Sequence, residues 1–269
     1  MSTWQPTHFK PGDAPPTTSG GIIIIYGWPG VGKSWFCINS WGVASPLWYA
    51  NFDRSAAHLI SEYQGAEGVH YADFTALSKA QAETACEKLL SMRNAAVNAG
   101  KGIFVLDNFA AASDLVLMAK YDNNKNGALA YGPVNNWWRD FVLGLEASGL
   151  WCLITAPPKE IWRSVMNKNT GNMTGQATGL YDPEGWKHIE FHAMAELWLY
   201  TNRPAGAAEI PVSAGAQLME GVEFSQRQAL EFKGQVQIAK KRPMIEGVIL
   251  TNPTLKLLLK VMKELPADA

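Results

Sequence analysis

The chain has 269 residues, 47% hydrophobic and 17% charged, and no run approaches the ~18 consecutive apolar residues of a membrane span. Lys+Arg 23 against Asp+Glu 24 gives a net charge of -1, which excludes a globally basic nucleic-acid coat and leaves room for a local basic groove. Cys37, Cys86 and Cys152 are odd in number and lack metal-ligand spacing, so reduced thiols in a cytoplasmic protein are expected rather than a disulfide framework.

Residues 1–20 are polar and proline-bearing, without the apolar stretch of a secretory leader, and read as a flexible N-terminal arm. The apolar run at 22–26 predicts a strand covered on both faces in a parallel sheet. A glycine cluster follows, then a helix from Lys33 to about Trp41 and a second strand over 46–52. Residues 77–98 predict a long helix, with Ser78 and Gln81 at capping-box spacing and Gly100 just past its end. A third buried strand covers 103–106 and runs into Asp107. The polar stretch 121–127 leads to a helix over 133–147 with proline in its first turn, and a fourth strand covers 150–155. The Asn-, Gly- and Thr-rich segment 166–176 is expected to be a mobile loop. Beyond Trp186, residues 188–191, 197–200, 218–224 and 230–238 read as shorter strands of antiparallel type, and 253–265 as a terminal amphipathic helix. The expected fold class is α/β. Residues 21–203 would form a mainly parallel sheet flanked by helices, and 204–269 a β-rich C-terminal extension and terminal helix packed on that core.

The sharpest signal is Gly27, Trp28, Pro29, Gly30, Val31, Gly32, Lys33 and Ser34, a full match to G-x-x-x-x-G-K-[ST] between a strand and a helix, with Trp35 next. Glycines let the backbone turn tightly so that several N–H groups face one anion, and the following helix adds its positive end. Lys33 would reach the β- and γ-phosphates of ATP, and the Ser34 hydroxyl would hold Mg²⁺.

Asp107 ends a buried strand, where open α/β sheets keep their ligands, and is expected to orient the Mg²⁺ shell; helix capping is the plain alternative. Asp53 follows the second strand and would sit beside the phosphate loop if that strand neighbours the first. It is the candidate for polarising the attacking water, against a plain surface-turn acid. Thr155 closes the fourth strand, either as a γ-phosphate sensor or as an ordinary strand-end threonine. His188 and His192 lie four apart but on a predicted strand with no third ligand, so no metal site is expected there.

In this motif order the chain resembles the RecA-like ATPase core, and more narrowly the phage-encoded RecA-like ATPases of single-strand annealing and recombination. The resembling pieces are residues 26–36, 48–55, 102–107, 131–139 and 153–156, and the tail around Lys240-Lys241-Arg242 and 251–254. The resemblance implies ATP hydrolysis with Mg²⁺, with Asp53 activating water where many relatives carry Glu. It also implies a homo-oligomer with ATP at the subunit interface, where Lys240 and Arg242 reach a neighbour's γ-phosphate. A solvated basic patch is the other reading of those cations, and Lys187 is a rival to them. The loops after the third and fourth strands would hold single-stranded DNA through Lys125, Lys159, Arg163 and Lys168, with Trp162 either stacking on a base or packing in the core. A single-strand binding protein is a further implied partner, and a membrane is not. Pro157-Pro158 stands where relatives often carry a histidine. Three functions compete: an ATPase working on single-stranded DNA in phage recombination or repair, a nucleotide-gated oligomeric scaffold or loader with little turnover, and a small-molecule kinase.

Overall fold

Isoleucines at all four positions 22–25 leave strand β1 (Gly21–Tyr26) no polar side chain to turn toward water, and in the computed structural model it lies inside an eight-stranded sheet. Residues 20–53, 56–61, 66–166, 173–201, 232–240 and 245–264 are described. In chain order β1 is followed by α1 (Lys33–Asn39), β2 (Leu47–Asn51), α2 (Ala57–Ser61), β3 (Val69–Asp73), α3 (Lys79–Ala99) and β4 (Ile103–Asp107). Then come α4 (Phe109–Lys120), α5 (Gly132–Glu146), β5 (Trp151–Ala156), β6 (Pro158–Met166) and β7 (Met173–Pro183). The remainder is β8 (Ala193–Thr201), β9 (Phe232–Ala239), β10 (Ile249–Thr251) and α6 (Leu255–Glu264).

The sheet order is β10-β9-β8-β1-β5-β4-β2-β3. The strands from β8 to β3 are parallel to their neighbours, and β9 and β10 add an antiparallel edge. The expected α/β class, a mainly parallel sheet flanked by helices, is therefore the class observed. Alternate residues of β1 feed opposite layers. Ile22, Ile24 and Tyr26 join the layer under α3, α4 and α5, whereas Ile23 and Ile25 join the layer that holds α1 and α6.

Helix α3 starts as its sequence predicts. Ser78 Oγ accepts from the Gln81 N–H at 3.3 Å, Gln81 Oε1 accepts from the Leu77 N–H at 2.8 Å, and Gly100 at φ 66° ends the helix. In α5, Trp138 is 1% exposed and meets Phe109 edge-on at 4.9 Å, while its half-buried neighbour Trp137 stacks on Phe141 at 5.1 Å.

Several expectations need correction. The segment 166–176 is not simply a loop. β6 and β7 pair antiparallel through Met166 and Met173, because the β-prone residues Ile161, Trp162, Val165 and Thr178 flank the Asn/Gly stretch; residues 167–172 lie outside the described set. Around 188–191 there is a 3-10 turn over Ile189–Phe191 instead of a strand, closed by local bonds such as His192 N–H to the Ile189 carbonyl at 3.0 Å. Residues 197–200 belong to the longer β8, which pairs antiparallel with β9 (Phe232–Ala239), as expected of 230–238, and parallel with β1 on its other edge. The strand expected at 218–224 lies outside the described residues. The sequence reading placed no element at α2, β3 or α4. α4 begins at Asn108, whose Oδ1 accepts from the Ala111 N–H at 2.9 Å.

Glu196 of β8, 4% exposed, is the one acidic residue besides Asp107 buried in the described sheet, and its Oε1 has no hydrogen-bond partner. Burial, reinforced by the carboxylates of Glu190 and Asp182 and opposed by Lys240, raises its pKa from 4.5 to about 7.

Two stability measurements follow. Trp138→Ala should cost about 3–5 kcal/mol in urea unfolding and Trp137→Ala clearly less, since only the first empties a closed site. For Glu196 the folded pKa lies above the unfolded one, so its proton stabilises the fold in full below pH 4.5 and is lost as pH rises through about 7. Glu196→Gln should therefore melt higher than the parent at pH 8, with the gap closing toward pH 4.5.

Candidate functional site

The glycine-rich segment leaves the carboxyl end of β1 through two positive-φ turns, Gly30 at 80° and Gly32 at 89°, which residues with a Cβ rarely adopt. At Gly27 a Cβ would lie 2.3 Å from the Leu199 carbonyl oxygen, so this turn also needs glycine for space. Lys33 Nζ spans the loop and donates to the Gly27 carbonyl at 2.7 Å and the Trp28 carbonyl at 3.1 Å. Burial lowers the Lys33 pKa, while Asp107 and Asp53 act against that and favour the charged ammonium.

Asp107 ends β4 and is 2% exposed. Its carboxylate accepts three hydroxyls. Ser34 Oγ donates to Oδ2 at 2.7 Å, the Tyr49 phenol donates to Oδ2 at 2.5 Å, and Thr155 Oγ1 donates to Oδ1. Thr155 and Tyr49 arrive from β5 and β2, the strands on either side of β4. Burial and the neighbouring Asp107 charge push the Tyr49 phenol well above its usual pKa, so it keeps its proton and donates. Ser34 and Asp107 together offer the all-oxygen donor chemistry that Mg²⁺ takes.

Asp53 reaches the same cleft by a route the sequence did not indicate. Strand β2 is not a neighbour of β1, because β5 and β4 lie between them. Instead the Phe52 N–H bonds the Asp107 carbonyl at 2.6 Å, which brings the end of β2 against the end of β4. Asn108 Nδ2 then donates to Asp53 Oδ2 at 2.7 Å while its Oδ1 caps α4.

A cleft of about 740 Å³ opens over these groups, within the range of ligand pockets. Residues 29–36 form its floor, with Asp53, Asp107, Asn108 and Pro157 beside them. His58 and Leu59 of α2, Leu199 of β8, Phe232 of β9, and Asn252 and Pro253 complete the wall. Gly27 and Trp28 do not line it. Trp28 is 50% exposed and sits edge-on to Tyr181 of β7 at 5.4 Å.

The other expected residues are distributed elsewhere. Thr155 is fully buried with its hydroxyl committed to Asp107, so it holds the acid rather than facing the cleft as a phosphate sensor would. Lys159 and Arg163 are exposed on β6, where Arg163 Nη2 donates to Gln176 Oε1 at 3.2 Å. Trp162 is 62% exposed, so core packing does not describe it. Lys125 pairs with Asp122 at 3.3 Å in the α4–α5 connection. Lys240 donates through Nζ to the Glu190 carbonyl and through its N–H to the Met194 carbonyl, at the end of the sheet away from the phosphate loop. Lys187 is exposed, and Lys168 and Arg242 lie outside the described residues. Among the described residues no cluster of His, Cys, Asp and Glu could hold a metal on its own, and no helix is long and apolar enough to cross a membrane.

Sequence reasoning missed Tyr49, Asn108 and the wall from Phe232, Asn252 and Pro253. Tyr49 sits mid-strand in an apolar run and reads as core. Asn108 was findable as a capping residue directly after the acid.

Fold and site together define an α/β protein with a glycine-rich loop of the phosphate-binding pattern at the carboxyl end of a central parallel strand. No family model matches the chain, and no curated protein does. Among solved structures it is similar to the KaiC-like protein PH0186 from the hyperthermophilic archaeon Pyrococcus horikoshii OT3. That likeness has 11% identity and a TM-score of 0.43, covering 87% of this chain and 90% of that one.

Lys33→Ala should weaken binding of a nucleoside triphosphate by at least about tenfold in calorimetry, since charge-assisted bonds to phosphate are lost. Circular dichroism should remain that of the parent.

Proposed function

We propose that this chain is a Mg²⁺-dependent ATPase that works on single-stranded DNA. The observation that carries the hydrolytic half is the convergence of Lys33, Ser34, Asp107 and Asp53 around one cleft at the carboxyl ends of parallel strands. The loop amides and Lys33 bind the triphosphate tail and offset its charge. Ser34, its hydroxyl oriented by Asp107, would hold Mg²⁺, which when bound supplies Lewis-acid charge stabilisation at the phosphates. Asp53, held by Asn108, orients a water and takes its proton as the water oxygen bonds to the γ-phosphorus. The bond from that phosphorus to the bridging oxygen breaks, leaving ADP and inorganic phosphate.

The DNA half is supported by the β6–β7 ribbon, which presents Lys159, Arg163 and an exposed Trp162, a combination suited to backbone contact and base stacking without sequence readout. Its base touches the phosphate loop through Trp28 and Tyr181, and Tyr181 stacks on Trp198 at 6.1 Å, so loop and ribbon are joined by one aromatic cluster. Assembly into an oligomer, with Lys240 and Arg242 completing a neighbour's site, belongs to the same reading, as does a role in recombination or repair.

Asp53→Asn should keep ATP affinity and lower turnover by about 10²–10⁴-fold. Single-stranded DNA should raise turnover of the parent, and Trp162→Ala with Arg163→Ala should remove that stimulation. Tight ATP binding with no turnover, together with a nucleotide-dependent size change in light scattering, would replace this reading with a nucleotide-gated scaffold.

A further inference from the structure

Tyr49 lies in the middle of β2 with no exposed surface, and it does not line the cleft. A residue with only a packing role there would gain nothing from a hydroxyl, since a buried phenol without a partner is costly. Its hydroxyl is used. Tyr49 pairs in register with Val105, and Asn51 pairs with Asp107, so the phenol reaches two residues along the neighbouring strand to the acid. The resulting 2.5 Å contact has the length of a charge-assisted O–H to carboxylate bond.

We propose, resting on the nucleotide-site reading above, that Tyr49 is a positioning residue: its phenol, with the Thr155 hydroxyl, locks the Asp107 carboxylate so that this acid acts on the cation through Ser34. A carboxylate offers about four acceptor directions, and three are taken by hydroxyls on elements that cannot move independently, β2, β5 and α1. Ser34 gives its only proton to Asp107 Oδ2, which leaves its lone pairs as the part of the hydroxyl available to a divalent cation. If the phenol is removed, Asp107 Oδ2 loses one of its two donors and the carboxylate can rotate about its Cβ–Cγ bond. Ser34 then faces an acceptor held only through Thr155 on the other carboxylate oxygen. The triphosphate cradle, built from loop amides and Lys33, does not pass through this network, so metal-free binding is independent of it.

The test compares ATP binding by calorimetry in EDTA and in Mg²⁺ for the parent chain and Tyr49→Phe, a change that removes one oxygen and keeps the ring. The quantity read is the gain in affinity that Mg²⁺ confers. Tyr49→Phe should bind ATP in EDTA like the parent and lose about tenfold of the Mg²⁺-dependent gain, the scale on which residues behind a metal ligand act. A purely packing role would lower the urea midpoint and leave that gain intact, and this outcome overturns the proposal. Thr155→Val removes the hydroxyl on the other carboxylate oxygen and should also reduce the gain. It gives a second reading if Tyr49→Phe does not fold, and a full gain in that variant overturns the proposal as well. A parent that binds ATP equally in EDTA and Mg²⁺ overturns the role of Tyr49 alone, whereas a parent that binds no ATP under either condition overturns the nucleotide reading itself.

Discussion

Strand β1 is hydrogen-bonded on both edges, by β5 and β8, and covered on both faces by helices. A strand in that position can end only at the rim of the sheet, and its chain must then turn back over the strand ends to begin the covering helix. Three glycines in the six residues after Tyr26 permit the turn, and the backbone amides it exposes are not used up by the sheet. The cleft is therefore a consequence of burying four isoleucines. β4 and β5 bring Asp107 and Thr155 to the same rim because parallel strands all end on one side.

What the sequence made readable followed from local chemistry. The apolar runs of β1, β4 and β5, the capping box of α3 and the strand–glycine turn–helix order at 21–39 are each dictated within a few residues, and the structure has these elements where the sequence puts them. The failures were of two other kinds. α4 is rich in alanine and apolar around its circumference, so its pattern lacks the polar stripe that marks a surface helix; it is covered because α3 and α5 pack beside it. At β6 and β7 the Asn- and Gly-rich stretch outweighed the weaker alternation on either side.

The candidate site divides in the same way. Lys33, Ser34 and Asp107 are legible because motif and strand end coincide. Asp53 was singled out from the residue type at a strand end, but its approach to the cleft depends on strand order and on Asn108, and neither is encoded locally. Tyr49 was invisible because its bond to Asp107 comes from a register between β2 and β4 that no single-strand pattern specifies. Thr155, placed at the correct rim, turns its hydroxyl inward to a carboxylate that must be neutralised by donors before it can be buried at all.

The contact between Trp28 and Tyr181 has a practical side. An indole half in solvent, on the very turn that would wrap a phosphate, and touching a phenol from a distant hairpin, is an optical probe once its emission is resolved from that of the other tryptophans, by difference against Trp28→Phe. Any tightening of that turn changes the water around the indole and its separation from the phenol together, so emission colour and energy transfer would shift in concert without an added dye.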